Sequence, residues 1–339
     1  YELVYNGTIN GTNYANVVVV SGTVNVAPKT LTKSDLVYTG QITKTYDGSD
    51  SAPTGLTVSV KSGSLVGTDT LTVTGTLKYN SANVNAANEI TFTPTAIITG
   101  NYRLAATEVL TITGAKITAK DVKLTGGINA TDRSYVKDNK TVDLTKGTLT
   151  FDGLVGSETL DVNIPATGTI SDAKVGAYNV TYSGVTLADG TGKASNYKLV
   201  SPLPAVMVNI TKAAALTLAD IPVSQKFTTT TGEKAIGAVM PTDAGALTYT
   251  KDAESKTGSV TVTSWDVDST GKVTYTLSGG VAGDTVTLPV IIGSDNYENS
   301  TVNVKITLTA KDDQTALTLT GGTTVVYGQT LQLGTTGGN

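Results

Sequence analysis

Residues Gly100–Asp121 read GNYRLAATEVLTITGAKITAKD. The stretch holds the pair Asn101-Tyr102, then an alternating Val/Leu/Ile-Thr segment, then a lysine-bearing turn that runs into another alternating segment. The same order recurs in SNYKLVSPLPAVMVNITKAAA from Ser195 and DNYENSTVNVKITLTAKDD from Asp295, with a partial copy, TNYANVVVVSGTVNVAPKT, from Thr12. The Asn-Tyr pairs fall at Asn13-Tyr14, Asn101-Tyr102, Asn196-Tyr197 and Asn296-Tyr297, spaced 88, 95 and 100 residues apart. That period is too long for a solenoid repeat and close to the roughly 100 residues of an immunoglobulin-like sandwich.

Two of the units also match inside. KTYDGSDSAP places Tyr46 where RSYVKDNKTV places Tyr135, and SLVGTDTLTV matches GLVGSETLDV, so that Gly67 pairs with Gly156 and Asp69 with Glu158, all at an offset of 89. Apolar residues alternate with polar ones at Leu56/Val58/Val60, Leu71/Val73, Ile90/Phe92, Val206/Val208/Ile210 and Val302/Val304/Ile306/Leu308. Period two is the mark of half-buried strands. YDGSD, KSGS, SGG and DSTGK supply turns between them. Only KAAALTLAD, from Lys212, has some helix propensity.

The expected fold is all-β, with tandem immunoglobulin-like β-sandwich domains in an extended rod. The expected segments are 1–28, the end of one repeat; 29–117, 118–212 and 213–310, three complete repeats; and 311–339, the start of another. The chain opens and stops in mid-pattern, as a piece of a longer protein would. The closing strands are expected at Val109–Ile117 and Val206–Lys212, leading into the next repeat with no Gly/Ser-rich linker. Tyr102, Tyr197 and Tyr297 are expected to bury their rings beside those strands, with the hydroxyl on nearby backbone, as in a tyrosine corner. The Asn before each suits a turn, its side chain bonding local backbone.

Composition narrows the chemistry. Cysteine and histidine are both absent. That removes disulfides, thiolate catalysis, imidazole bases and His- or Cys-ligated metals. A net charge of -4 without a basic patch points away from nucleic acid. No apolar run reaches the roughly 20 residues of a membrane-spanning helix, so no membrane insertion is expected.

KTYDGSDSA, the turn in LVGTDTLTV and the closing GNYRL...LTITGAKITAKD resemble the YDG repeat domains of large bacterial surface and secreted proteins. Residues 118–212 are similar, but Val136-Lys137 stand where the family has Asp-Gly. The related MBG repeats share the closing strand. Residues 213–310 look more like a generic bacterial immunoglobulin-like repeat, and TTVVYGQTLQL near the end resembles the first strands of another. The resemblance implies a structural stalk or adhesin segment of a bacterial cell-surface or extracellular fibre protein. Its partners would be neighbouring repeats of the same longer chain, and glycans or proteins of host or bacterial surfaces.

Three features could carry chemistry. In WDVDSTGK, Asp266 and Asp268 alternate before Gly271, a pattern able to hold calcium but also an ordinary hairpin turn. AKDDQT, Ala310–Thr315, puts two Asp residues at a repeat boundary, where interdomain calcium could sit. Trp265 and scattered Tyr residues could form a sugar-stacking face, making the chain a carbohydrate-binding array, although a lone Trp on an inner strand is ordinarily core. Catalysis is not expected. A carboxylate pair would need a shaped cleft with aromatic platforms, and the chain has one Trp, three Phe and no large insertion.

Overall fold

The computed structural model describes residues 25–98, 100–311, 318–321, 324–330 and 334–336. Asn13-Tyr14, the pair Asp312-Asp313 of AKDDQT and nearly all of segment 1–28 lie outside these. The described residues form an all-β structure, whose only helical turns are Lys33–Asp35 and Ala194–Asn196, both 3-10. The chain falls into two compact units. The first comprises the described residues up to Leu124 with Phe151–Val162 and Leu187–Pro202; the second comprises Thr125–Thr150, Asn163–Thr186 and Leu203 onward. Each takes part of the stretch 118–212.

In the first unit, Lys29–Leu31 pairs in parallel with Tyr102–Leu104, Lys29 opposite Tyr102. Leu36–Thr39 and Thr57–Val60 form an antiparallel pair. Gly75–Tyr79, Glu89–Pro94 and Leu110–Thr113 form an antiparallel sheet. Thr43–Thr45 runs parallel to Lys116–Thr118. Alternation decides which side chains turn in: Ile90 and Phe92 are buried within Glu89–Pro94, and Thr91 between them points outward. One core gathers Leu31, Leu36, Val58, Phe92, Tyr102 and Leu104; another gathers Tyr46, Tyr79, Ile90, Ile117, Leu160 and Tyr197.

Within the second unit, two sheets of the stretch 213–310 lie over one core. Ile221–Lys226, Ser300–Thr309, Thr285–Ser294 and Leu247–Lys251 are neighbours in that order, and Ser255–Thr257 also pairs with Thr285–Ser294. The facing sheet is Thr231–Ala235, Lys272–Ser278 and Thr261–Val267. Alternate residues Val286, Leu288, Val290 and Ile292 meet Val302, Val304 and Ile306, all completely buried. Each such side chain contributes roughly 1.5–3 kcal/mol of transfer free energy.

Three expectations from the sequence need correction. Leu71 and Val73 are not in a strand; they pack on the first core from outside any strand, although their counterparts Leu160 and Val162 are in the strand Leu160–Asn163. The stretch Val109–Ile117 is two strands, because Gly114 takes φ +80° and bends the chain between Leu110–Thr113 and Lys116–Thr118. KAAALTLAD is not helical, for its Ala213 bridges in parallel to Tyr297 and its Leu216 N–H is taken by the Ser300 hydroxyl.

The Asn-Tyr motif therefore opens a short parallel pairing with the first strand of its own repeat. Lys29 faces Tyr102, Lys120 faces Tyr197 and Ala213 faces Tyr297. The 89-residue offset persists: the Tyr46 and Tyr135 N–H groups donate to the carbonyls of Thr118 and Thr211, the last residues of the strands Lys116–Thr118 and Met207–Thr211, at 2.8 and 2.7 Å. Gly67 and Gly156 both take left-handed turns, at φ +58° and +55°.

Candidate junction site

Tyr46 stands at the end of the strand Thr43–Thr45, and its ring is buried. Its hydroxyl donates to Glu158 Oε1 at 2.6 Å. Tyr197 donates to the other oxygen, Oε2, also at 2.6 Å, and accepts the Val155 N–H at 3.0 Å. The two rings meet edge to face, 5.3 Å apart and 76° inclined. Asn196 completes the group: its Oδ1 accepts the Val84 N–H at 2.9 Å and its Nδ2 donates to Asn83 Oδ1 at 3.0 Å. Residues of the stretch 29–117 thus close on residues 155, 158, 196 and 197 inside one compact unit.

A second cluster of the same design lies in the other unit. Tyr135 and Tyr297 both donate to Asp243 Oδ2, at 2.9 and 3.1 Å. Their rings are 5.7 Å apart, again at 76°. Asn296 accepts the Val175 N–H at 3.3 Å and donates to the Asp243 carbonyl at 2.7 Å. The carboxylates occupy like positions, Glu158 three residues after Val155 and Asp243 three after Met240. A carboxylate taking two phenol hydroxyls in a partly dry site makes two charge-assisted bonds, each stronger than a neutral pair.

The turn after Tyr46 has its own logic. Asp47 accepts from Lys44 Nζ at 2.7 Å and from the Ser49 N–H and hydroxyl at 2.9 and 3.0 Å. Gly48 sits at φ +81°, and a Cβ there would come 3.0 Å from Val155 Cγ1. Glycine is needed for the backbone and for the close approach. After Tyr135 the residues differ, and Asp138 takes the left-handed conformation at φ +57°, which Asp tolerates better than most residues.

Burial, then the hydrogen bond to Asp243, pushes Tyr135 up to about 12; burial, then the bond to Glu158, does the same for Tyr197. Burial alone would raise Asp243, but the bonds from Tyr135, its own backbone and Tyr297 outweigh it and hold the carboxyl below its ordinary value. The signs follow. Phenols raised in the folded state contribute stability that is complete below about pH 10 and is lost as pH rises through about 12. Asp243, depressed, contributes stability present above its unfolded pKa of about 4 and lost as pH falls through its lower folded value. Absorbance titration at 295 nm is expected to show these tyrosines ionising last, together with unfolding. Their ionisation alongside exposed tyrosines near pH 10 would contradict the hydrogen-bonded geometry.

The sequence expectations fare differently across the site. Tyr102 and Tyr197 are buried as expected, whereas Tyr297 is half-buried. Their hydroxyls reach the turn at Val66–Asp69 and its counterparts, well away from the start of the strand. Asn196 and Asn296 bond residues 112 and 121 positions away, not local backbone as expected. Trp265 is core: 8% exposed, opposite Tyr275, its Nε1–H on Glu254 Oε2 at 3.1 Å. It offers no open stacking face. Asp268 is consumed by its hairpin turn, accepting the N–H groups of Thr270 and Lys272 and the Thr270 hydroxyl, while Asp266 is exposed beside Lys251. Among the described residues no three carboxylates gather to hold a metal.

Sequence reasoning missed Glu158 and Asp243 as partners of the tyrosines. The 89-residue offset marks only Glu158, as the match of Asp69; the residues around Asp243 share no motif with either stretch. One comparison identifies the stretch that carries the Tyr-Asp-Gly turn. Residues 27–109 match the YDG domain family. That match takes in Tyr46, Asp47 and Gly48 and, near its end, Asn101-Tyr102. No curated protein matches the chain.

Proposed function

We propose that this chain is a non-catalytic spacer: a stalk or adhesin segment of a bacterial cell-surface or extracellular fibre protein, in which immunoglobulin-like β-sandwich repeats follow one another as an extended rod. The observation that carries the reading is the repeated junction. Tyr46 is seated on Glu158 and Tyr197, Tyr135 on Asp243 and Tyr297, and both tyrosines belong to the repeat before the one that receives them. A ring and a carboxylate at each boundary restrict the swing that a short linker alone would allow. Spacing and fixing successive repeats is what a stalk requires. The distal ligand of such a stalk would be a surface glycan or protein recognised by a different part of the assembly.

Small-angle scattering tests this. Each repeat would add on the order of 35–40 Å, from strands of about 7–10 residues at roughly 3.3 Å each with their loops. A rod of this chain would then exceed about 100 Å, with a radius of gyration of roughly 35 Å, against about 20 Å for a compact domain of the same length. A value near the compact one would end the stalk reading.

A further inference from the structure

Tyr135 and Tyr297 stand in the same compact unit, and their arrangement suits a reaction that packing alone does not require. Both hydroxyls donate to one oxygen, Asp243 Oδ2, at 2.9 and 3.1 Å. The hydroxyl ends of the two rings therefore converge, with the centroids 5.7 Å apart and the planes inclined at 76°. The carbons ortho to each hydroxyl lie at this convergent end. On those carbons, besides the oxygen, a phenoxyl radical places its unpaired electron. The acceptor between the rings is a base. Hydrogen bonds hold the Asp243 carboxyl below its ordinary value, while burial, then the bond to Asp243, raises both phenols, Tyr135 to about 12. At neutral pH each phenol thus keeps its proton beside an ionised carboxylate, and an electron can leave a ring as its proton crosses to Asp243.

The pair is also within reach of solvent. Tyr135 and Asp243 line a cavity of about 310 Å³, and its other lining residues Asp138, Lys174 and Asp295 are exposed. An oxidant at that rim stands next to the Tyr135 ring, and Tyr297 is only half-buried. Tyr46 and Tyr197 share Glu158 in the same edge-to-face geometry, but both of those rings are only 5% exposed. The chain has no cysteine, so no disulfide can tie its distant stretches together.

We propose that Tyr135 and Tyr297 are a site of oxidative crosslinking, joined carbon to carbon as a dityrosine by a one-electron oxidant, one equivalent for each ring. Each ring gives one electron to the oxidant, and its phenolic proton passes to Asp243 and on to solvent. The two radicals then pair, forming one bond between ortho carbons. Each bonded carbon loses its hydrogen as a proton, the rings become aromatic again, and both oxygens recover a proton. On balance two C–H bonds are broken, one C–C bond is made, two equivalents of oxidant are reduced and two protons are released. The new bond closes the chain from residue 135 to residue 297 into one loop. The inference rests on the geometry of the pair and holds whether or not the chain is a spacer.

The test uses the full chain in dilute solution, irradiated with visible light in the presence of ruthenium trisbipyridyl and persulfate. The product that remains monomeric is digested and read by mass spectrometry. The expected product is a joined pair of peptides carrying Tyr135 and Tyr297, lighter by two hydrogens and with the blue emission of dityrosine. The intact crosslinked chain should migrate faster in a denaturing gel, because its unfolded form is held in a loop. Asp243→Asn keeps an oxygen acceptor but not a base, and should slow the coupling by about tenfold or more with the circular dichroism unchanged. Tyr297→Phe keeps the ring and should abolish the joined pair. If either variant fails to fold, the peptide map of the unaltered chain still decides. Coupling through the exposed Tyr38 in place of the Tyr135–Tyr297 pair, a Tyr46–Tyr197 crosslink that forms first, or a rate indifferent to Asp243→Asn would each overturn the proposal.

Discussion

Tyr197→Ala is expected to destabilise the unit containing residues 29–117 by about 4 kcal/mol. Its ring is 5% exposed and belongs to a core with Tyr46, Ile117, Val122 and Leu160. Truncating a buried aromatic to Ala costs about 3–5 kcal/mol, from lost transfer free energy and the cavity left behind. Two further losses push toward the upper part of that range. The Val155 N–H loses its acceptor, and Glu158 keeps only the Tyr46 hydroxyl. An unpaired buried donor adds about 1–3 kcal/mol unless water reaches it. Tyr197→Phe separates the terms: it keeps the ring and should cost only about 1–2 kcal/mol. Tyr46→Ala combined with Tyr197→Ala should be less than additive, by about 1 kcal/mol, because the edge-to-face pair is lost once. Guanidinium unfolding followed by circular dichroism measures all four. A loss below about 1 kcal/mol for Tyr197→Ala would show that the junction ring is incidental.

Trp265→Ala should cost the other unit about 4 kcal/mol. The indole is 8% exposed, pairs across strands with Tyr275 and shares a core with Val273, Leu288 and Val304. Its Nε1–H is satisfied by Glu254, so truncation also strips that carboxylate of a donor. Trp265→Phe keeps much of the apolar volume and should cost roughly half as much. The chain has a single Trp, so emission of the unaltered protein reports this site alone. It should be blue-shifted in the folded state and shift to the red in one step on denaturation. Emission at the solvent-exposed wavelength before unfolding would place the ring at the surface and reopen the sugar-stacking reading.

Much of the fold was legible because strand burial is written locally. Thr285–Ser294 buries every second residue, and the alternation of Ile90 and Phe92 assigns their face correctly. Leu71 and Val73 show where that signal fails. Two alternating apolar residues can pack on a core from outside any strand, and nothing local tells whether a partner strand supplies hydrogen bonds. Gly114 was visible as a turn former, but its effect on Val109–Ile117 depended on Lys116–Thr118 finding a different partner, Thr43–Thr45.

The site divides along the same line. Residue order alone showed that Asn-Tyr and Tyr46/Tyr135 recur in register, that a lone Trp265 suits the core, and that no cysteine or histidine chemistry is available. Recurrence identifies positions under the same physical demand without saying what the demand is. That the demand is shared between distant stretches emerges from the folded chain. Glu158 lies 112 residues from Tyr46, and Asp243 lies 108 from Tyr135. A hydrogen bond across such a distance leaves no periodicity, because periodicity records only which face of its own strand a residue occupies. Asn196 makes the point most simply: its local sequence suits a turn, but its buried amide can be satisfied only by the groups that folding brings beside it, Val84 and Asn83.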